Sequence, residues 1–374
     1  MIFLSLLFWG IYLLILAALV LAWRSASRKE TKQSSQPAFS VIIAARNESP
    51  NLKRYLSSWL EQAYPEYELI LVLDRCEDDS AAYLATESNP RLKIIEVSET
   101  SEGWAPKKWA LHLGIAAAQN DWLAFTDADC ELSPKWLAEI ARKVEPQTEL
   151  VLGLGPYRLY PSLLNAFQSF ETAYAALQYI GFARLGMPYM GVGRNLAYKK
   201  SFFERAKGFD RFAERLSGDD DLLVNANAQA SNTALMMSPE SWTWSEPKMS
   251  WSAWFKQKNR HLSASPAYSI QSKLALGIFH FSHLAGNIFW LTEFFLAPTN
   301  LFLWTVLLSR VLMGWILWGA VKPSFDRERL LMLYPLLDFL FFLYNLIFVP
   351  IGTIRKPSWT KKQESQKIRK KTES

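Results

Sequence analysis

Thr126-Asp127-Ala128-Asp129 sets two carboxylates one residue apart at the close of an apolar run. At a strand's end a turn can aim both at one point. Hard cations such as Mg²⁺ or Mn²⁺ take carboxylate oxygens and share them with substrate phosphates. Such a cation is a Lewis acid for a departing diphosphate. The bland alternative is a pair of surface aspartates in a turn. A second acidic run is Gly218-Asp219-Asp220-Asp221. Three adjacent acids repel one another, so the run is either a solvated helix start or is held by cations. Inside a site, one of them can serve as a general base whose pKa neighbouring charge adjusts. The third cluster is Gln257-Lys258-Asn259-Arg260-His261, preceded by Trp251, Trp254 and Phe255. Aromatic rings beside cations suit a membrane interface. Arg and Lys are also good diphosphate ligands. Both readings stay open on the residues alone.

The elements around these clusters alternate. Phe39–Ala45 reads as a buried strand, and Glu68–Asp74, Arg91–Val97 and Trp122–Asp127 as three more. Helical patterns at 51–63, 79–88 and 107–119 lie between them. Ser133-Pro134 reads as the N-cap and first residue of a helix reaching Val144. Alternation of this kind implies an α/β fold with a doubly wound, mostly parallel sheet. Ligands of such sheets bind beyond the carboxyl ends of the strands. Arg46, Asn47 and Glu48 follow strand one, Asp74 ends strand two, and Asp127 and Asp129 follow strand four. The polar residues gather at the edge where a ligand belongs.

The two ends of the 374-residue chain are apolar. Ile2 to Trp23 carries no charge, enough to cross a bilayer core. Arg24, Arg28, Lys29 and Lys32 follow, and the positive-inside bias puts them in the cytoplasm. A cleaved signal peptide is the competing reading, but its basic start, short core and small-residue cleavage site are not evident. The expected organisation is an anchor at 1–24, a linker at 25–37, a cytoplasmic catalytic domain with interfacial helices at 38–270, membrane segments at 271–354, and a basic cytoplasmic tail at 355–374. Among the apolar stretches near 274–297, 299–321 and 330–354, the first holds His280, Ser282, His283 and Asn287. It is expected to lie in the interface, which leaves three crossings in total. The aromatic stretch at 160–190 is expected on the bilayer surface.

Cys76 and Cys130 form no disulfide framework, and no Cys or His spacing suggests zinc. His112, His280 and His283 are expected to be packed, not ligating. The charge of +6 sits beside the membrane segments. Anionic headgroups, not nucleic acid, are its expected partners.

The ordered set of motifs resembles a membrane-bound family 2 glycosyltransferase with a GT-A type nucleotide-sugar domain. Residues Val41 to Glu48 resemble the opening strand and nucleotide loop, and Leu71 to Asp79 the second block. Gly103-Trp104 with Lys107 to Leu111 resembles a third block, and Asp127-Ala128-Asp129 the metal motif. Gly191 to Tyr198 resembles the segment lining the acceptor side. Gly218-Asp219-Asp220 stands where the family has Gly-Glu-Asp, and Gln257 to His261 resembles Gln-x-x-Arg-Trp with His261 at the Trp position. The resemblance covers roughly residues 38–265. It implies a nucleotide-sugar site at Arg46, Asn47, Glu48, Asp74 and Lys107, and a divalent metal, Mg²⁺ or Mn²⁺, at Asp127 and Asp129. It implies Asp220 as the base, and Asp219, Gln257, Arg260 and His261 around the diphosphate and acceptor. Arg75 replaces the usual second aspartate of its block, which leaves the base of the nucleotide open, with a UDP-sugar expected. The reaction it implies is inverting transfer to a hydroxyl of a membrane-associated, lipid-type acceptor such as a ceramide-like lipid or carotenoid, in a bacterial inner or plasma membrane. A cell-envelope polysaccharide synthase is the alternative. His261 and the few membrane segments weigh against processive extension.

Overall fold

The computed structural model describes residues 1–28, 36–321 and 327–350. Most of the expected linker and the whole basic tail lie outside these residues, as do Lys29 and Lys32.

The chain opens with helix α1 (Ile2–Arg28). Strand β1 (Phe39–Ala45), α2 (Ser49–Leu60), β2 (Tyr67–Asp74), α3 (Ser80–Leu84), β3 (Leu92–Val97), α4 (Pro106–Ala117) and β4 (Trp122–Phe125) follow. Then come β5 (Cys130–Leu132), α5 (Trp136–Ala141), β6 (Leu150–Leu152), α6 (Leu163–Arg184), β7 (Leu196–Lys199), α7 (Lys200–Arg205), α8 (Asp221–Asn227), β8 (Thr233–Leu235) and β9 (Thr243–Ser245). The last described part holds α9 (Trp251–Leu262), α10 (Ile270–Leu296), α11 (Leu301–Gly319), α12 (Arg327–Met332) and α13 (Tyr334–Leu343), which runs into a π-helical turn at Tyr344–Phe348.

The main sheet has the order β3-β2-β1-β4-β7-β6-β8. Its first four strands are parallel, while β7 runs antiparallel to both β4 and β6. β5 and β9 form a separate antiparallel pair. The fold is therefore α/β with a mixed, mostly parallel sheet, as expected. Strand β1 is buried nearly throughout because helices cover both faces, and its Val, Ile and Ala run shows no alternation for that reason.

The expected helix from Ser133 starts later, at Trp136. The Ser133 carbonyl accepts from Gln62 Nε2 at 2.9 Å, and the Pro134 carbonyl accepts from the Ala63 amide at 2.7 Å. These carbonyls finish the end of α2, so the segment stays a turn. The 160–190 stretch also departs from expectation. Its helix α6 is not a surface element: it is buried along most of its length between the sheet's β8 side and helices α1, α12 and α13.

Among the described residues, α1, α10 and α11 are long and apolar enough to cross a membrane. The interfacial placement expected for the 274–297 stretch rested on its polar residues. In the structure α10 is continuous and lies along α1. His283 and Ser282 are almost fully buried, and His280 reaches Gln178 of α6 at 3.3 Å. They face protein inside the bundle, where an apolar helix can carry them. The last apolar stretch is broken into α12, α13 and the π turn.

Candidate active site

Parallel pairing of β1 with β2 and β4 brings three loops to one edge. The β1 loop holds Arg46, Asn47 and Glu48. Arg46 is exposed, and Asn47 takes a left-handed backbone with φ of 55°. The Asn47 side chain accepts from the Glu77 amide at 2.8 Å, which ties the β1 loop to the β2 loop. Asp74 is nearly buried at the tip of β2. Arg75 holds it in a fork, with Nε at 2.7 Å and Nη2 at 3.0 Å. The residue that departs from the family pattern thus turns back onto the aspartate beside it.

Lys107 enters from the first turn of α4, which lies over β1 and β2. Its ammonium stands 2.8 Å from Asp127 Oδ1 and 3.1 Å from Asp219 Oδ2. This contact joins two acidic clusters that are far apart along the chain. Asp127, Lys107, Gly193, Tyr198, Asp219 and Asp220 line one cleft. Burial alone would lower the Lys107 pKa, but Asp127 and Asp219 outweigh it and raise it. Burial likewise pushes Asp219 up, yet Lys107 and Lys108 hold it down to about 2. Asp219 is an anion by construction.

Asp220 is different. It caps α8, its Oδ1 accepting from the Asp221 amide at 2.8 Å, and its Oδ2 accepts from the Gly193 amide at 2.6 Å. A Cβ at Gly193 would stand 3.1 Å from Asp220 Oδ2, so glycine permits this approach. Burial and Asp219 raise the Asp220 pKa despite Lys107 and the two amides. Asp221 is raised to about 7, by burial and then by Asp220. Neighbouring carboxylates here are driven apart in acidity, a pattern suited to proton transfer.

Asp129 is raised as well, by burial and then by Asp127. The Cys130 thiol is its hydrogen-bond donor, at 3.5 Å. Glu48 is raised by burial, and Asp129 and Asp127 add to this. Among the described residues no three His, Cys, Asp or Glu side chains form a ready cage for a metal ion. A pair of under-satisfied carboxylates still fits a hard cation that completes its shell with phosphate oxygens and water. The Thr126 hydroxyl, buried in the same cleft, lacks a hydrogen-bond partner among the described residues.

Helix α9 supplies the remaining expected residues. Arg260 Nη2 lies 3.0 Å from His261 Nε2. Burial drives His261 to the neutral form, and the charges of Arg260, Lys258, Arg194 and Lys107 add to that. The influence of Lys107 puts His261 within electrostatic reach of the cleft. Lys258 instead pairs with Glu171 of α6, and Gln257 Oε1 is buried without a hydrogen-bond partner among the described residues.

Sequence reading missed four contributors. The Gly193 amide contacts Asp220; its signal was the family-like segment at 191–198, which named no role for this amide. Lys108 Nζ donates to the Ser217 carbonyl at 2.8 Å, just before the acidic run. Lys248 partly offsets the rise in pKa at both Asp129 and Glu48. Tyr268 donates to Asp221.

Residues 40–205 match the family model described as glycosyl transferase family 2. The chain carries a family 2 glycosyltransferase domain. Among curated relatives, the 4,4'-diaponeurosporenoate glycosyltransferase of Staphylococcus haemolyticus is 31% identical over 150 residues, 40% of this chain and 38% of that one. The poly-beta-1,6-N-acetyl-D-glucosamine synthase of Staphylococcus epidermidis is 30% identical over 138 residues, 36% of this chain and 32% of the synthase. The match thus spans under two fifths of these relatives. A solved mannosyltransferase from Pyrobaculum calidifontis, in complex with GDP-Man and Mn²⁺, superposes with a TM-score of 0.61 at 17% identity, covering 94% of this chain and 96% of its own. At that identity the likeness shows the fold, which is of the GT-A type with apolar helices at both ends.

Proposed function

We propose that this chain transfers a sugar from a nucleoside diphosphate sugar to a hydroxyl of a membrane-associated, lipid-type acceptor, with inversion at the anomeric carbon. The observation that carries this reading is the Lys107 bridge, which gathers Asp127, Asp219 and Asp220 in one cleft beyond the strand ends. A family 2 domain and a relative named for 4,4'-diaponeurosporenoate support it. So does a domain built around helices of membrane-crossing length. The positive charge after α1 favours a cytoplasmic active site, where nucleotide sugars are available.

Asp220 takes the proton of the acceptor hydroxyl as that oxygen attacks the anomeric carbon and the bond to the diphosphate breaks. Its raised pKa makes it a stronger base than an ordinary aspartate. The Gly193 and Asp221 amides fix the orientation of its carboxylate. Asp219 stays ionised and holds Lys107 in the cleft. Lys107 and Arg260 bring positive charge to the diphosphate as it gains charge on leaving. Asp127 and Asp129 are the residues that would hold a divalent cation, whose chemistry, when bound, is neutralisation of the leaving diphosphate. Asp74 and the Asn47 loop would take the nucleoside.

Membranes carrying the protein, incubated with labelled UDP- and GDP-sugars, should move label into an organic extract. Label confined to water would sink the lipid acceptor. The synthase relative favours a second reading, polysaccharide synthesis. Product length that grows with time would support that reading instead. A thermal-shift panel of nucleoside diphosphates with and without Mn²⁺ identifies the base, since ligands of the folded form raise its melting temperature.

A further inference from the structure

The acidic run was read for its base, yet its third member is bound to something outside the cleft. Tyr268 donates its hydroxyl to Asp221 Oδ2 at 2.6 Å. One turn along α8, Asn225 Oδ1 accepts from the Ser269 amide at 2.7 Å. The same amide group's Nδ2 donates to the Tyr189 carbonyl at 2.9 Å and to Ser272 Oγ at 3.0 Å. Ser269 is the N-cap of α10 and accepts from the Ser272 amide at 3.2 Å. Asp221 and Asn225 are spaced to lie on one face of α8. That face is therefore sewn to the first turn of a 27-residue helix of membrane-crossing length.

We infer that Tyr268 and Asn225 are positioning residues that tie the helix carrying Asp220 to the start of α10, so that the seating of a membrane helix sets where the base meets the acceptor. The inference rests on the proposed function, in which Asp220 is the base. Helix α8 is only 7 residues long and cannot hold its own direction by internal hydrogen bonding. On the side of Asp220 it is held by the Gly193 amide. On the side of Asp221 and Asn225 it is held by the approach to α10. A base misplaced by about 1 Å costs roughly a hundredfold in rate, so a two-sided clamp has kinetic consequences. It also gives the enzyme a physical reason to work on acceptors that lie in the bilayer. The helix that reaches into that layer and the base that deprotonates the acceptor share one joint.

The test uses the full-length protein in bilayer nanodiscs and four variants: Tyr268→Phe, Asn225→Ala, Asp221→Asn and Asp220→Asn. Tyr268→Phe should lower kcat about tenfold or more, with the donor KM within about twofold, as expected when an interaction of the transition state alone is lost. Its thermal-shift response to nucleoside diphosphate should match that of the unaltered protein. Asn225→Ala should show the same split of kcat from KM. The Tyr268→Phe and Asp221→Asn effects should not add, because the two residues act through one bond. The pH profile supplies a readout that loss of stability does not move. Asp220 faces Asp219, Lys107, Lys108, Tyr198, Tyr268 and the Gly193 amide, while Asp221 faces Asp220, Asp219, Lys108, Tyr268 and Tyr189. Without the Tyr268 hydroxyl, Asp221 holds its proton to higher pH, so the change in kcat that accompanies Asp221 ionisation near pH 7 should move to higher pH. Unaltered kcat in Tyr268→Phe, or an equal fall at every pH accompanied by a lower melting temperature, overturns the inference. If Asp220→Asn turns over normally, the base assignment itself is wrong. If Asp220→Asn is inactive while Tyr268→Phe is normal, only the joint is wrong.

Discussion

In the cleft, Lys107 faces Asp127 and Asp219, and Asp220 lines the same cleft. In the helical bundle, Arg310 of α11 grips Asp338 of α13 with both terminal nitrogens, and His283 of α10 stands 3.5 Å from the same carboxylate. Tyr334 also donates to Asp338, at 3.4 Å. The Arg310 guanidinium lies over the rings of Tyr12 and Trp9 of α1, and Tyr12 meets Tyr174 of α6 at 2.8 Å. Both are knots of charge, but they differ in balance and in access to solvent. The bundle pair is matched one to one and nearly inaccessible, with Arg310 3% and Asp338 4% exposed. The cleft is left with more carboxylates than cations, and its Lys107 side chain is 41% exposed. A balanced pair sealed from solvent fixes how helices meet. An unbalanced set open to solvent is suited to receiving positive charge and phosphate.

The comparison breaks first at Asp220. Asp220→Asn should cut turnover by about a thousandfold, within the range for loss of a general base, and leave nucleotide binding intact by thermal shift. An equally large loss of melting temperature would place Asp220 with the structural knot instead. The mirror experiment is Asp338→Ala. It leaves Arg310 buried without its partner and should destabilise the protein by about 3–5 kcal/mol, read as a fall in melting temperature in detergent. Replacing both residues, Arg310→Met with Asp338→Leu, should restore much of that loss. No restoration would mean that the pair does more than hold the helices.

Lys107→Met should act in the cleft alone. Donor KM should rise about tenfold, as for loss of one charged phosphate contact, and the melting temperature at neutral pH should fall, because Asp219 loses the cation that holds its pKa down. The smallest effect is the pH dependence of stability. Asp221, raised to about 7, favours the folded form at low pH, and that contribution is lost as pH climbs from about 4 to about 7. Asp219, lowered to about 2, has the opposite sign: its contribution is present above the ordinary aspartate value and fades as pH falls toward 2. Asp221→Asn should therefore flatten the decline in melting temperature between pH 4 and pH 7. An unchanged slope would remove Asp221 as its source.

The parallel half of the sheet was legible because long apolar strands end in unusual polar residues. β1, β2 and β4 lie where the alternation put them, and their loops share one edge. The later half was not legible. β6, β7 and β8 have 3, 4 and 3 residues, too short for a period to register, and nothing local tells β7 to run backwards. Ser133-Pro134 carried a sound helix-start signal, yet α2 claimed its carbonyls, a contact between distant segments. The polar residues of α10 suggested an aqueous layer because their partners, on α6 and α13, were not yet in view. In the site, residue types pointed to Asp127, Asp219 and Asp220. The bond between Asp221 and Tyr268 joins residues with no shared pattern, so only coordinates reveal it.

Helix α6 belongs to the sheet domain, yet it leans on α1 so closely that a Cβ on Gly181 would stand 2.8 Å from Leu19 Cδ2. Trimming the first helix to make a water-soluble preparation would strip Tyr174 and Gly181 of their cover and leave an oily stripe on the half that handles sugar nucleotides. Preparative work on this chain should begin with detergent or nanodiscs and an intact leading helix, because its catalytic half was shaped with that helix in place.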